Sequence, residues 1–548
     1  MTGTAFELDR NAGATSPRLF WAALAGITLI AAVLRFWNLS AVPVWQDEAV
    51  TRAFAQLDLW TLLTKDIDNH PPLSYIVQHF WHKINPDLAA ARVPVAVAGT
   101  ASVAVFMLFL RDSVNTRAAL IGGLFLALST SHIFYSQDAR MYAYAVLGLI
   151  IALWGAVGFA EPGRHRPSTY AALYIAGGAI AIYSHMIGLI VMACFGGASL
   201  AALIFRSPSD WFASSRRWIV MNLMLLVIVL SWLVRLPSAS ESFLGLWDTN
   251  EGMARWYYLN IIGFPGIDGF GKLAEVVVFL LACASIPLCW GSGRKALALA
   301  IGGLLLAYPL LIIELNALSA EPLISNRVFS PIVIASVAGL AIAVSMIRIL
   351  PVRAAALSVC AIVASLSAWN TLQYGVKPDD FKAAFEYADA QGYEDAPVFT
   401  CNVFCSAAAW ENRPEATIYD FRRGDMMRYK GPQFWAVTKN GMLWQRQATV
   451  ADLDADLGGG WQVPGGVPEA LAGHSKAIVM MTTCDSAEDD EQRLKQALAE
   501  AGFRPAGQEQ RMLSRSQGRT IMVGPETRVV LFERQSPAGG AIAYAPTP

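Results

Sequence analysis

This 548-residue sequence contains unusually few charged residues. Asp, Glu, Lys and Arg make up only 15% of its residues, whereas an ordinary soluble chain carries about 25%. The shortage is confined to one part of the chain, because 42 charged residues fall within 1–371 and 41 within the much shorter 372–548. The low charge density of residues 1–371 excludes a purely soluble enzyme. The change in charge density near residue 371 predicts a membrane-embedded body followed by a water-soluble domain.

Basic runs and paired cysteines are also missing. The net charge is −1 and no long basic run occurs, so the sequence lacks the electrostatic footprint of a nucleic-acid-binding protein. Its seven cysteines lack the C-x₂-C pairs of a zinc module. Cys401, Cys405 and Cys484 fall in the predicted soluble domain, where an oxidising compartment would allow one disulfide of undetermined pairing. The sequence implies no certain cofactor and leaves a divalent metal open.

About eleven apolar runs are long enough to cross a membrane. They lie near 19–37, 94–110, 118–134, 141–160, 169–184, 186–205, 218–236, 271–290, 296–314, 328–347 and 354–371. The first run lacks an A-x-A cleavage signal and is predicted to be an anchor. Alternate connections are all basic, and they carry Arg10, Arg18, Arg111, Arg117, Arg164, Arg166, Arg206, Arg216, Arg217, Arg294, Lys295, Arg348 and Arg353. The positive-inside rule therefore predicts a multi-pass protein of the plasma (inner) membrane, with a cytoplasmic N-terminus and an extracytoplasmic C-terminal domain.

The expected fold class is a polytopic α-helical membrane protein with a small C-terminal α/β domain. The membrane domain spans 1–371 and has two long outer loops, 38–92 and 237–270; the soluble domain spans 372–548. In the first loop, 49–63 and 73–83 have the spacing of helices lying in the membrane interface. In the soluble domain the pattern predicts helices over 380–391 and 488–501, and strands over 396–404, 477–481, 509–514 and 527–533.

The first chemical motif is Trp45-Gln46-Asp47-Glu48, just outside the first span. Two adjacent carboxylates at that depth are costly unless they are paired or used. A carboxylate here is a candidate general base for an acceptor hydroxyl or amine. The alternative is a helix N-cap followed by an exposed acid.

The second motif, Asp66-Ile67-Asp68-Asn69-His70-Pro71-Pro72-Leu73, lies in the same outer loop. Pro-Pro stops a preceding helix and can begin the next one, which holds Asp68 and His70 on a bend. His70 is a candidate phosphate contact, and the carboxylate of Asp68 a candidate cation contact. A turn with polar caps is the alternative.

The third motif, Ser136-Gln137-Asp138-Ala139-Arg140-Met141-Tyr142, connects two spans on the outer side. Arg140 could fork onto a phosphate while Tyr142 holds a sugar face or a lipid; the alternative is a surface Asp–Arg pair beside interfacial tyrosines. Arg327 stands at the outer mouth of a late span, where it either holds an anionic phosphate or extends its side chain to the interface. His185, at the outer end of a short span, is either a packed residue or a substrate contact.

Taken in order, these motifs resemble the GT-C glycosyltransferases, in particular protein O-mannosyltransferases and lipid A aminoarabinose transferases. The resemblance covers roughly 19–350 and rests on W-Q-D-E, D-N-H-P-P-L, S-Q-D-A-R-M-Y, Ser184-His185 and N-R-V-F-S-P. It implies that Asp47, with Glu48 beside it, lies at the catalytic centre, and that Asp138 is a second acidic site residue. It also implies that Arg140 and Arg327 hold the phosphate of a polyprenyl-phosphate sugar.

The sequence departs from the family pattern at two places. Val328 stands where the family often has Tyr after the late-span arginine, so a hydroxyl contact to the donor is missing there. The second outer loop contains no D-x-D, although Asp66 and Asp68 form one in the first loop. This second departure argues against a metal-dependent mechanism of the oligosaccharyltransferase type.

The predicted function is an inverting transfer of a sugar from a polyprenyl-phosphate donor to a lipid, polysaccharide or protein acceptor on the outer side of the membrane. Membrane lipids are the other expected partners, and nucleic acid is not one. The alternative from another class is a transporter or flippase, which would place ionisable residues in mid-span and broken helices at matching places in two halves. Clustering of the acids on one face favours the enzyme.

Overall fold

The computed structural model describes residues 16–40, 43–64, 70–87, 89–161, 167–205, 208–234, 270–318, 330–374, 380–401, 403–422, 424–430, 454, 459–482, 488–512 and 527–535. The chain divides into two compact units. The first comprises Met1–Ala41, Asp58–Val376 and Gly518–Met522; the second comprises Val42–Leu57, Lys377–Gln517 and Val523–Pro548. The segment Val42–Leu57, expected in an outer loop of the membrane domain, thus groups with the C-terminal part of the chain.

Among the described residues, helices account for nearly all of the first unit and part of the second. In chain order they are α1 (Pro17–Phe36), α2 (Gln46–Ala55), α3 (Leu59–Thr64), α4 (Leu73–Ile84), α5 (Val93–Ser113), α6 (Thr116–Leu128), α7 (Thr130–Ser136), α8 (Tyr142–Ala160), α9 (Pro167–Ser184), α10 (Ile187–Leu203), α11 (Pro208–Leu233), α12 (Phe270–Gly291), α13 (Lys295–Gly302), α14 (Tyr308–Leu318), α15 (Ile332–Ser345), α16 (Leu350–Tyr374), α17 (Phe381–Ala390), α18 (Val403–Asn412), α19 (Gly466–Ala470) and α20 (Glu488–Glu500). A 3₁₀ turn (Ala89–Arg92) precedes α5, and a π-helical turn (Gly303–Ala307) joins α13 to α14.

Each apolar run expected to cross the membrane coincides with one of these helices or with a broken pair. Among the described residues, five helices are long and apolar enough to span a membrane, or six if α6 and α7, which meet at a bend of 61°, form one span. Several other apolar helices are shorter. The chain is therefore a multi-pass membrane protein, and a total of about eleven spans stays a prediction.

Local sequence explains where several helices of the first unit begin. Ser16 caps α1, because its hydroxyl accepts a hydrogen bond from the backbone N–H of Leu19 at 3.3 Å and Pro17 occupies the first helical position. Asn115 caps α6 through its side-chain oxygen, 2.8 Å from the backbone nitrogen of Ala118. α4 begins at Leu73, directly after Pro71-Pro72, as the Pro-Pro pair predicts.

Glycine allows α8 and α9 to pack with their backbones in contact. A Cβ at Gly155 would lie 2.6 Å from the carbonyl oxygen of Tyr170 and closer still to the backbone nitrogen of Tyr174. A Cβ at Gly148 would lie 2.6 Å from the backbone nitrogen of Ala181. Such distances leave no room for a methyl group, so these glycines determine how closely α8 and α9 approach each other.

The second unit is built on a mixed sheet. Its strands are β1 (Val398–Thr400), β2 (Ile418–Arg422), β3 (Asp425–Tyr429), β4 (Lys476–Met481), β5 (Phe503–Pro505), β6 (Gln510–Met512) and β7 (Thr527–Arg534). The order is β3-β2-β1-β4-β7-β5, with β6 also paired to β7. β1 runs parallel to β2 and β4, and the other pairs are antiparallel.

Two predicted elements differ from the structure. The helix expected over 49–63 is divided into α2 and α3, because the carboxylate of Asp58 accepts hydrogen bonds from the backbone and hydroxyl of Thr61 at 3.0 and 2.6 Å and caps a new helix. The strand expected over 396–404 ends at Thr400, and Val403 begins α18. A short apolar run does not distinguish a strand from a helix.

Two other predictions fall wholly or partly outside the described residues. The outer loop 237–270 lies outside them, except for Phe270, and so does Cys484. Cys401 and Cys405 are both described and both are buried, and the disulfide expected among the three cysteines stays a prediction.

Candidate functional site

The turn between α7 and α8 carries the third motif of the sequence and is nearly inaccessible. Asp138 is 1% exposed and Arg140 is 5% exposed. The backbone N–H of Arg140 donates to the carbonyl of Asp138 at 2.6 Å, which folds the chain sharply between the two charged residues. A surface Asp–Arg pair, the alternative considered for this motif, is therefore wrong, since both side chains are buried.

Gln137 attaches this turn to the end of α1. Its side-chain nitrogen Nε2 donates to the carbonyl oxygens of Leu34 at 3.1 Å, of Arg35 at 3.4 Å and of Trp37 at 3.0 Å. α1 ends at Phe36, and the last carbonyls of a helix have no partner within it. The bonds from Gln137 satisfy these carbonyls and fix the residue that precedes Asp138.

A buried arginine supports the same region from α1. Arg35 is 0% exposed, and its guanidinium donates to the carbonyl oxygens of Leu126 at 3.0 Å and of Ala127 at 3.2 Å. Those carbonyls lie where α6 ends and the chain bends into α7. A further N–H of Arg35 lies 2.7 Å from Nδ1 of His132. Because arginine only donates, Nδ1 is the acceptor and the neutral ring carries its proton on Nε2.

Sequence reasoning missed Arg35, His132 and Gln137. The signal for Arg35 was available, because it is the one charged residue of the first apolar run. An ionisable residue inside a span is seldom without a structural or functional role.

A series of rings adjoins the turn. The ring centroids of Tyr135 and Tyr142 are 4.9 Å apart, those of Tyr142 and His185 are 5.5 Å apart, and those of His185 and His70 are 5.0 Å apart. The series joins residues from four separate parts of the first unit. Sequence reasoning had singled out His70, Tyr142 and His185 independently, and the structure brings them together.

The orientation of His185 is set by the start of α10. Its Nδ1 accepts a hydrogen bond from the backbone N–H of Ile187 at 3.1 Å, so the proton of the neutral ring is on Nε2. The residue is 6% exposed.

The acidic pair of the first motif lies on α2, in the second unit. The N-cap of α2 is Trp45, and Asp47 and Glu48 stand in its first turn, where the helix dipole favours negative charge. Glu48 is 1% exposed, and Asp47 is the one residue of α2 that is not buried. The alternative of a helix N-cap followed by an exposed acid does not describe this segment.

The structure therefore groups the predicted site residues in two sets. Asp138, Arg140, Tyr142, His70 and His185 belong to the first unit, while Asp47 and Glu48 belong to the second. Asp68 and Arg327 lie outside the described residues. Among the residues that the structure describes, no group of three His, Cys, Asp or Glu side chains is placed to hold a metal ion.

Comparison with known proteins gives one family match. Residues 69–232 match the family model described as dolichyl-phosphate-mannose-protein mannosyltransferase. The matched segment includes His70, Asp138, Arg140, Tyr142 and His185. No curated protein matches the sequence.

Two solved structures have the same fold over nearly the whole chain. The chain is similar to ArnT from Cupriavidus metallidurans in the apo state, with a TM-score of 0.58 and 10% sequence identity over 94% of this chain and 98% of that one. The same protein bound to undecaprenyl phosphate matches with a TM-score of 0.53 and 11% identity, over 95% of this chain and 98% of that one. Because these sequence identities are low, the two similarities show a shared fold and carry no statement about activity.

The fold and the family match over residues 69–232 together support a glycosyltransferase that resembles the GT-C type. Within that class it resembles the protein O-mannosyltransferases and ArnT, as its ordered motifs predict. Neither comparison supports the alternative of a transporter or flippase.

Proposed function

We propose that this protein transfers a sugar from a polyprenyl-phosphate donor to a lipid, glycan or protein acceptor on the extracytoplasmic side of the plasma (inner) membrane. The observation that carries the proposal is the buried Asp138–Arg140 turn beside the rings of Tyr142, His185 and His70. An arginine two residues before Tyr142, in the turn that adjoins these rings, suits a ligand that joins a phosphate to a sugar. That a protein of the same fold has been solved with undecaprenyl phosphate is consistent with a donor of this kind.

In the proposed reaction, the acceptor oxygen attacks the anomeric carbon from the face opposite the phosphate. Asp47 takes the proton of the acceptor hydroxyl as the new C–O bond forms, and the bond from the anomeric carbon to the phosphate oxygen breaks. The leaving polyprenyl phosphate keeps the bonding electrons, and Arg140 and Arg327 stabilise its growing charge. A single displacement of this kind inverts the configuration at the anomeric carbon.

The two other acidic residues have supporting roles in this proposal. Glu48, buried beside Asp47, adds negative charge that keeps the base ready to accept a proton. Asp138 orients the donor next to Arg140. Nearly complete burial makes both carboxylates sensitive to replacement by their amides.

The test uses purified protein in detergent with a polyprenyl-phosphate sugar, and it measures release of polyprenyl phosphate. We expect Asp47→Asn to lower kcat by at least about a hundredfold, because a general base contributes about 10² to 10⁴. Asp395→Asn, at an exposed turn of the second unit, is the matched control and should keep full activity. Retention of wild-type kcat by Asp47→Asn would remove the base from the mechanism.

The same assay separates the enzyme from a flippase, since a flippase needs two compartments and consumes no donor in detergent. The acceptor and the sugar require a different measurement. Mass spectrometry of envelope glycolipids and glycans, with and without the protein, should show one species losing a single sugar.

A further inference from the structure

α2, which carries the proposed base, is fastened to the last turn of α18. Near its N-terminal end, the side-chain nitrogen Nδ2 of Asn412 donates to the carbonyl oxygen of Val44 at 2.9 Å. In its last turn, Nε of Arg52 donates to Oε2 of Glu411 at 2.9 Å. Two consecutive residues of α18 therefore hold α2 at both ends, and Asp47 lies between the two attachments.

The Arg52–Glu411 ion pair is shielded from water. The side chains are 9% and 5% exposed, and burial raises the pKa of Glu411 above that of an ordinary carboxyl, against the opposing effect of Arg52. A buried ion pair adds little net stability, because its attraction is largely offset by the loss of hydration. Its geometry is nevertheless demanding, so such a pair is well suited to fixing one helix against another.

We propose that Glu411 and Asn412 are positioning residues for the proposed base, and that α18 serves the reaction by holding α2 in place. The inference rests on the proposed function, in which Asp47 takes the proton of the acceptor. A general base has to come within about 2.6–3.2 Å of that proton's heavy atom. A shift of about 1 Å in such a group can lower the rate a hundredfold. Loss of the attachment of α2 should therefore slow the reaction, even though Glu411 and Asn412 do not touch the substrate.

The first test compares two substitutions of the same kind in the same unit. Glu411→Gln removes the charge that holds α2. Glu491→Gln breaks a partly buried ion pair on α20, in which Glu491 lies 2.8 Å from Arg528 and 2.6 Å from Lys495. We expect Glu411→Gln to lower kcat by roughly 10- to 100-fold with an unchanged KM for the donor, and Glu491→Gln to keep wild-type kcat. Equal losses in both variants, or wild-type kcat in Glu411→Gln, would overturn the proposal.

A second pair of measurements guards against a folding defect. Asn412→Ala removes the hydrogen bond to Val44, together with one to the carbonyl of Ala408 inside α18, and leaves the ion pair intact. We expect about a fivefold loss of kcat, because a single hydrogen bond between the helices is lost. In a double-mutant cycle, Arg52→Gln with Glu411→Gln should lose no more than the worse single variant, since the two side chains act as one attachment. Losses that multiply, or full activity of Asn412→Ala, would contradict the inference.

Asp47→Asn separates this inference from the proposed function. If Asp47→Asn and Glu411→Gln both lose activity while Glu491→Gln does not, both proposals stand. If Asp47→Asn is inactive and Glu411→Gln is fully active, the positioning role fails and the base remains. If Asp47→Asn is fully active, the proposed base fails whatever Glu411→Gln does.

Discussion

Replacing Gln137 by Glu tests whether the attachment of the Asp138 turn to α1 matters for the reaction. The substitution keeps the shape of the side chain and exchanges its NH₂ group for a carboxylate oxygen. That oxygen would face the carbonyls of Leu34 and Trp37, which now accept hydrogen bonds from Nε2 at 3.1 and 3.0 Å. Two donors are lost, and a negative charge is placed at the C-terminal end of a helix.

The size of the effect follows from these contacts. Two hydrogen bonds with a net value of about 1 kcal/mol each and an unfavourable helix-dipole term of about 0.5 kcal/mol give roughly 2.5 kcal/mol. Since about 1.4 kcal/mol corresponds to a factor of ten, the attached arrangement of the turn becomes about 60-fold less favoured. We expect kcat for release of polyprenyl phosphate to fall by between about 10- and 100-fold.

Gln137→Met is the matched control, because it removes the same donors without adding charge and should lose less activity than Gln137→Glu. The acid form of the glutamate regains an O–H donor, so the ratio of variant to wild-type activity should rise as the pH falls below about 5. Wild-type kcat in Gln137→Glu, with no dependence of this ratio on pH, would refute the idea that Gln137 holds the turn.

Further predictions concern stability. Gly155→Ala should lower the thermal unfolding temperature in detergent by several degrees, since overpacking costs about 1–3 kcal/mol and the nearest atoms are backbone atoms of α9; Gly197→Ala, with open space around it, should not. Although burial alone would raise the pKa of Glu491, its two basic partners hold it below the usual carboxyl value, so the stability lost in Glu491→Gln should shrink as the pH falls below about 4. The raised pKa of Glu411 predicts the opposite sign: the stability of wild type relative to Glu411→Gln should fall as the pH rises above about 4. Unfolding curves of the full chain between about pH 3.5 and 7 measure the difference in stability between wild type and each variant. If the two differences change with pH in the same direction, the opposite pKa shifts assigned to Glu491 and Glu411 are wrong.

Much of the first unit could be predicted because its signals are local. Apolar runs mark helices, and Pro71-Pro72 marks the start of α4. The residues of the third motif are also close in sequence, so their placement in one turn follows from the chain itself. Their burial does not follow, because it depends on packing by helices distant along the chain.

The ring series also shows that contacts between residues distant in the sequence could not be predicted. His70 and His185 are 115 positions apart in the sequence, yet their ring centroids are 5.0 Å apart. The local motifs single out both residues, but neither composition nor helical spacing indicates that they touch. Similarly, the sequence shows that Arg35 is an isolated charge in an apolar run, whereas only the structure shows the broken helix whose carbonyls it satisfies.

α2 illustrates why the division of the chain could not be predicted from composition. The apolar residues at helical spacing in 49–63 predict a helix in the membrane interface, and Gln46-Asp47-Glu48 and Arg52 give α2 the polar content of a surface helix. In the structure Arg52 pairs with a glutamate 359 positions later, and this pairing lets a charged side chain be buried. A local hydropathy pattern contains no information about such a partner. The same long-range pair joins the helix of the proposed base to α18, so substitutions at Glu411 should change the chemistry of an acid that lies more than 350 residues earlier in the chain.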